Sequence, residues 1–321
     1  MKSFLARIFH SITGAALEFL KDWKAVGRYV TQPEAHVFAF SIAANVLLAF
    51  YPFLLVMLSI SKHVFHSTPA INAIFLAIQD YFAGGTGAFL VTNLSASLKQ
   101  VRHMEWVSVL MLLLLANGVF LPLEVALNRA WGVTKGRNLV MNQLVSTGLI
   151  FACGALALLS AVVTASAPML WQMIFGPTGD APELLTTGFL AHGLFKLTSL
   201  PFTILIVFLV YWKLPNTKVP AAQVWPRAAV IGLLLEMLKW VNFFIWPALL
   251  RKLAREYDVF KHSVTILTWS FLAGLIVLAG ADWSARRAKR AEASGASYDP
   301  GDSPPLTAQT SILPGSAGGI G

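Results

Sequence analysis

The segment from Val224 to Leu250, VWPRAAVIGLLLEMLKWVNFFIWPALL, is long and apolar enough to cross a bilayer, yet it carries a carboxylate and an ammonium near its middle. Trp225 and Trp246 are 21 residues apart, roughly 30 Å at the helical rise, which matches a hydrocarbon core. The indoles therefore read as interface anchors. Pro226 can open a helix, because the first turn needs no amide donor, and Pro247 bends or ends it. A helical step of about 100° aligns Gly232, Glu236, Lys239 and Asn242 on one stripe, which must face protein. A mid-membrane charge costs about 2.5 to 3.5 kcal/mol on insertion scales, so an opposite charge one turn away is the natural compensation. Two readings stay open for Glu236 and Lys239: a structural ion pair that joins helices, or part of a substrate or proton pathway.

The rest of the chain has the same character. Hydrophobic residues make up 56% and charged ones 12%, with a mean hydropathy of +0.67, far from the soluble average of about 25% charged. The single Cys153 excludes an internal disulfide and a cysteine-based zinc site. The net charge of +9 serves topology before it suggests nucleic acid, because Lys and Arg mark the cytoplasmic side of membrane proteins.

Six spans are expected: Val37 to Ile60, Trp106 to Ala130, Leu144 to Leu170, Thr187 to Trp212, Val224 to Leu250 and Val264 to Ala281. With the N-terminus inside, fifteen Lys and Arg fall on the cytoplasmic side and seven outside, so both termini are expected in the cytoplasm. The 251–262 connection conflicts with this, carrying Arg251, Lys252, Arg255 and Lys261 on the outer side. The fold class is all-α: a polytopic helical membrane bundle of about six transmembrane helices plus an N-terminal amphipathic helix. Residues 1–34 form an interfacial segment, with Leu5, Ile8, Phe9, Ile12 and Phe19 on one face, suited to an anionic membrane surface. Residues 35–290 form the membrane domain. Residues 291–321, rich in Ser, Gly, Pro and Ala, read as a disordered cytoplasmic tail.

A second polar stripe lies in the second span, where Asn117, Glu124 and Asn128 share a helical face beside Pro122. In the third span Ala157, Ala161 and Ala165 form a small-residue ladder, read as close helix packing. The fourth carries His192, Lys196 and Pro201; Lys196 can snorkel outward. Between the first two spans, Gly84-Gly85-Thr86-Gly87 reads as a turn between two helices, since no phosphate-loop motif is present. His63 and His66 read as interfacial histidines, and no metal site is expected.

The run from Ala43 to Pro52 with Phe53-Leu54-Leu55, then Leu127-Asn128-Arg129-Ala130, Tyr211-Trp212-Lys213-Leu214-Pro215-Asn216, the Trp225 to Trp246 span and Gly280-Ala281-Asp282 together resemble the YihY/BrkB family of bacterial inner-membrane proteins. The resemblance covers about residues 35 to 285. Lys261-His262-Ser263 stands where the family tends to have Tyr-Gly-Ser, and Asp282 where Glu is usual. The resemblance implies a six-span inner-membrane protein without a firmly assigned reaction. Labels in the family include ribonuclease BN and serum-resistance or virulence factor, and a role in moving lipid or other envelope material.

The nuclease label, which implies a tRNA-processing ribonuclease, is the least favoured reading on this sequence. RNA hydrolysis calls for a metal-binding acid and histidine cluster or a paired general acid and base in a wet, basic cleft, whereas the acids here are dispersed along apolar helices. No catalytic residue, cofactor or nucleic-acid partner is expected, and membrane lipids are the expected partners; the sequence is compatible with a homo-oligomer. Two functions remain. A transporter or lipid translocase uses Glu124, Asn128, Glu236, Lys239, Asn117 and Asn242 as a polar midplane pathway. A scaffold or envelope-integrity protein uses the same groups only to hold its helices together.

Overall fold

The computed structural model describes residues 24–82, 85–100, 102–133, 136–175, 197–257 and 260–293. These residues are helical, with no strand among them. A short helical stretch, 24–30, precedes α1 (Pro33–His63), α2 (Thr68–Tyr81), α3 (Thr86–Gln100), α4 (Arg102–Trp131), α5 (Leu139–Phe175), α6 (Leu200–Lys213), α7 (Ala221–Tyr257) and α8 (Lys261–Ala293). The chain divides into two compact units, residues 1–286 and 287–321. Most of the expected amphipathic segment and tail, and His192 and Lys196, lie outside the described residues.

Among the described residues, five helices are long and apolar enough to cross a membrane: Pro33–His63, Val107–Trp131, Leu139–Ser166, Ala221–Asn242 and Lys261–Arg287. They match five of the six expected spans. The remaining one, Thr187 to Trp212, is described only from Leu197; Thr198 and Ser199 form a turn, and α6 begins at Leu200. Pro201 suits this start, since proline is tolerated in the first helical turn, where no amide donor is needed.

Local chemistry sets the other ends. α1 starts with Pro33 and Glu34 in its first turn and finishes on Lys62 and His63, charges that suit the two poles of a helix. α2 is capped by Ser67, whose side chain accepts the Ala70 amide at 3.2 Å. The glycine-rich stretch is the turn between α2 and α3; Gly85 has φ 91°, a conformation that glycine adopts without a Cβ penalty. The 251–262 connection is shorter than the sequence suggested. α7 runs on through Arg251, Lys252 and Arg255 to Tyr257, and α8 begins at Lys261.

The segment between the first two spans is no simple outer loop. Its turn returns to mid-height of α1, where Phe82 packs edge-on against Phe50 at 5.4 Å. Phe50 lies thirteen residues before the end of α1, about 20 Å at the helical rise. α2 and α3 therefore form a helical hairpin folded back along α1, with α2 also packed on α5.

The main helix pairs are α1 with α4 and α6 with α7. Leu58, Leu94, Leu127, Leu214 and Leu278 are fully buried in one core shared by α1, α3, α4, the end of α6 and α8. Where α6 crosses α7, a Cβ at Gly232 would sit 3.1 Å from the Ile204 backbone, so the glycine permits the close approach. Tyr211 is buried and donates its hydroxyl to the Val277 carbonyl at 2.5 Å, tying α6 to α8.

Candidate functional site

Glu236 projects from α7 into the seam with α6 and is 2% exposed. Lys239, one turn on, meets its Oε2 at 2.5 Å. The other oxygen, Oε1, accepts from Ser199 Oγ at 3.1 Å and Thr203 Oγ1 at 2.8 Å. Ser199 holds the N-cap position of α6 but makes no side-chain cap, because its hydroxyl is given to Glu236 instead. It also accepts from Lys239 Nζ at 2.7 Å, which closes a ring of three side chains.

The hairpin turn completes the cluster. Lys239 Nζ donates to Tyr81 Oη at 3.2 Å and lies 4.8 Å from the centre of the Tyr81 ring, within cation–π range. Asn242 Nδ2 donates to the Tyr81 carbonyl at 2.6 Å. This satisfies a backbone acceptor that the end of α2 would otherwise leave open at mid-height of the bundle. The pair is asymmetric: the Glu236 side chain is 3% exposed and that of Lys239 26%. Lys239 thus joins a buried carboxylate to accessible space.

That space is a cavity of about 350 Å³ between α1, α2, α5, α6 and α7. Phe53, Met57, Ile74, Leu158 and Phe202 make its apolar wall, while Tyr81, Ser199, Thr203, Lys239 and Asn242 bring the polar groups to one side. Gly154, Ala157 and Ala161 also line it, so the third-span ladder opens a space besides allowing helices to approach.

Five of the six residues expected on one pathway are placed, and they fall into two groups. Glu236, Lys239 and Asn242 share the cluster at the N-terminal end of α6. Glu124 and Asn128 lie past its other end: Asn128 Oδ1 accepts the Asn216 amide at 2.8 Å, and Asn128 Nδ2 faces Glu124 Oε1 at 3.4 Å. α6 has 14 residues, so roughly 20 Å separate the two groups. The side chain of Asn117 lies outside the described residues.

The second group is a staple for the Leu214-Pro215-Asn216 turn. Arg137 donates to the carbonyls of Lys213, Leu214 and Pro215 at 3.2, 3.1 and 2.8 Å. Arg129 and Glu34 pair nearby, both well exposed, and such pairs contribute little. Among the described residues no group of three or more His, Cys, Asp or Glu could hold a metal ion.

Sequence reasoning missed Tyr81, Ser199 and Thr203. Ser199 and Thr203 carried a signal, two hydroxyls four residues apart around Pro201 and therefore on one helical face. Tyr81 carried none, since it meets Lys239 across 158 residues of chain.

Several long apolar helices and a charged pair sheltered between them define a multi-pass helical membrane protein. The chain belongs to the virulence factor BrkB family, whose model matches residues 28–301. It is similar to a UPF0761 membrane protein of Chlorobium chlorochromatii (strain CaD3), 25% identical over 246 residues, 76% of this chain and 54% of that one. A UPF0761 membrane protein of Pseudomonas aeruginosa (strain LESB58) is 26% identical over 263 residues, 79% of this chain and 59% of the relative. One from Alcanivorax borkumensis is 27% identical over 234 residues, 70% and 52% of the two chains. The chain thus spans little more than half the length of these relatives. No solved structure matches it.

The asymmetry of the ion pair sets an expected order of variants. Lys239→Met leaves a carboxylate sealed in the seam and should cost about 3 to 5 kcal/mol, the range for an orphaned buried charge. Glu236→Gln leaves a partly exposed ammonium that keeps Ser199 and Tyr81, so it should cost less. The double variant should be more stable than Lys239→Met alone. Unfolding of the purified protein in detergent measures all three, and strictly additive effects would show that the two groups do not sense each other.

Proposed function

We propose that this protein moves an amphiphilic substrate, a lipid or another envelope-related molecule, across the bilayer and performs no catalysis. The observation that carries the reading is the placement of the Glu236–Lys239 cluster on the wall of a largely apolar cavity. A pair serving only as glue has no need of adjoining space, whereas an amphiphile requires an apolar chamber with a few convergent polar groups. Two further features support transport. The cluster is assembled at two helix ends, the α2–α3 turn and the start of α6. Helix ends that meet inside a bundle are a recurring way for transporters to build a substrate site.

Reconstitution tests this. Proteoliposomes containing the wild type should translocate head-group-labelled lipid faster than protein-free vesicles, as read by quenching of the outer leaflet. Ala161→Trp fills the cavity and should return the rate to the protein-free value while the protein remains monodisperse. Equal rates for wild type and empty vesicles, or for wild type and Ala161→Trp, would favour the scaffold reading.

The proposal includes an orientation in the bacterial inner membrane, with both termini in the cytoplasm, on the bias of Lys and Arg. α7 offers a direct check because it is one continuous helix from Ala221 to Tyr257. Reporters inserted at Lys218 and Arg255 should read cytoplasmic and external respectively. A cytoplasmic signal at Arg255 overturns the orientation.

A further inference from the structure

Most polar groups on the cavity wall are already bonded to one another. Lys239 is the only cation among the described lining residues, and its three protons go to Glu236, Ser199 and Tyr81. Both oxygens of Glu236 are taken, Oε2 by that ammonium and Oε1 by the hydroxyls of Ser199 and Thr203. Thr164 is joined to Thr198 at 3.0 Å. Asn242 gives Nδ2 to the Tyr81 carbonyl, and its Oδ1 is enclosed by protein, out of reach of an occupant.

The Tyr81 hydroxyl is the exception. Its Oη accepts from Lys239 Nζ at 3.2 Å, which turns the hydroxyl proton away from the ammonium. That proton has no acceptor among the described residues. Tyr81 is 43% exposed and lines the cavity, which leaves the donor accessible. Accepting from an ammonium also polarises the O–H bond and strengthens it as a donor.

This wall sorts head groups by what they donate and what charge they carry. A cation finds no free carboxylate oxygen, because Glu236 is saturated. An anion enters beside a pair that is already neutral, so its desolvation goes uncompensated. An alcohol can accept from Tyr81, but its own proton then meets a saturated Glu236 and a sealed Asn242 Oδ1, and a stranded polar group costs about 1 to 3 kcal/mol. A carbonyl accepts and has nothing to donate. The volume of about 350 Å³ is at the lower end of the range for small-molecule sites, roughly 300 to 1,000 Å³. That size suits one hydrocarbon chain better than a two-chain lipid with its head group.

We infer that the cavity takes an uncharged single-chain molecule whose polar end is a carbonyl, an ester or a ketone, which accepts the Tyr81 hydroxyl proton while the chain lies against Phe53, Met57, Leu158 and Phe202. The inference rests on the amphiphile reading of the same cavity and names the head-group chemistry that the reading leaves open. Tyr81 is the specificity residue; Glu236 and Lys239 keep the wall neutral and orient its hydroxyl.

Five probes of equal chain length test the inference: a methyl ester, a methyl ketone, the primary alcohol, the fatty acid and an alkyltrimethylammonium. The full chain is used in a maltoside detergent, and native mass spectrometry counts the bound probe. One hydrogen bond made without a stranded donor corresponds to about tenfold in affinity, so the ester or the ketone should bind about tenfold more tightly than the alcohol and than either charged probe. The tighter of the two identifies the source of the carbonyl. Tyr81→Phe keeps the ring over Lys239 and should bring both carbonyl probes down to the alcohol's level. Ser160→Ala, which removes a hydroxyl elsewhere on the wall, should leave the ranking intact, and Ala161→Trp should abolish binding of all five. An alcohol or fatty acid that binds as tightly as the carbonyl probes overturns the inference, as does a ranking that follows Ser160 instead of Tyr81, or failure of every probe to bind. The wild-type ranking decides the matter even if Tyr81→Phe does not fold. Translocation without the carbonyl preference removes this inference alone, and the preference without translocation removes only the transport reading.

Discussion

The cluster depends on the need to neutralise one buried carboxylate. Glu236 sits where water is excluded, and an isolated ionised carboxylate there is far costlier than the few kcal/mol that hold a fold together. Lys239 supplies the charge from the same helix, while Ser199 and Thr203 supply hydrogen bonds from α6. Because the last two come from a neighbouring helix, satisfying Glu236 also fixes α6 against α7. Lys239 extends the constraint to Tyr81, and thereby to the turn of a hairpin that folds back along α1. One charge requirement thus sets the relation of α6, α7 and the hairpin.

A second requirement acts at the other end of α6, where the chain must turn before α7. Proline at 215 has no amide to give, and the carbonyls from Lys213 to Pro215 end the helix. Arg137 takes all three of those carbonyls and Asn128 takes the following amide. α6 is therefore held at both ends by polar groups and along its length by close packing at Gly232 and the hydroxyl of Tyr211. The cavity lies beside the end held by Ser199. Separating the two groups gives them different work: one set builds the wall of a chamber, and the other anchors a turn.

What could be read from sequence was what is written in local spacing. Glu236 and Lys239 are three residues apart on one helix, so periodicity alone aligned them, and their pairing follows. The apolar runs were equally plain, as was the glycine turn at Gly85. The contacts between distant segments were not readable. Tyr81 and Asn242 are 161 residues apart, and nothing in either neighbourhood points to the other. For the same reason Glu124 and Asn128 looked like members of one pathway with Glu236. Polar residues on membrane helices all face inward, and periodicity gives the face without giving the partner. The alanine ladder had the converse ambiguity, because small residues permit close approach and equally leave room.

The central claim is that an amphiphile occupies the chamber beside the Glu236–Lys239 pair, and an experimental density map of the full chain in a lipid bilayer disc addresses it directly. Elongated density between Phe53, Met57 and Leu158, with Lys239 still engaged to Glu236, is the predicted result. A chamber collapsed onto its own side chains, with the pair intact and no density beside it, would contradict the account.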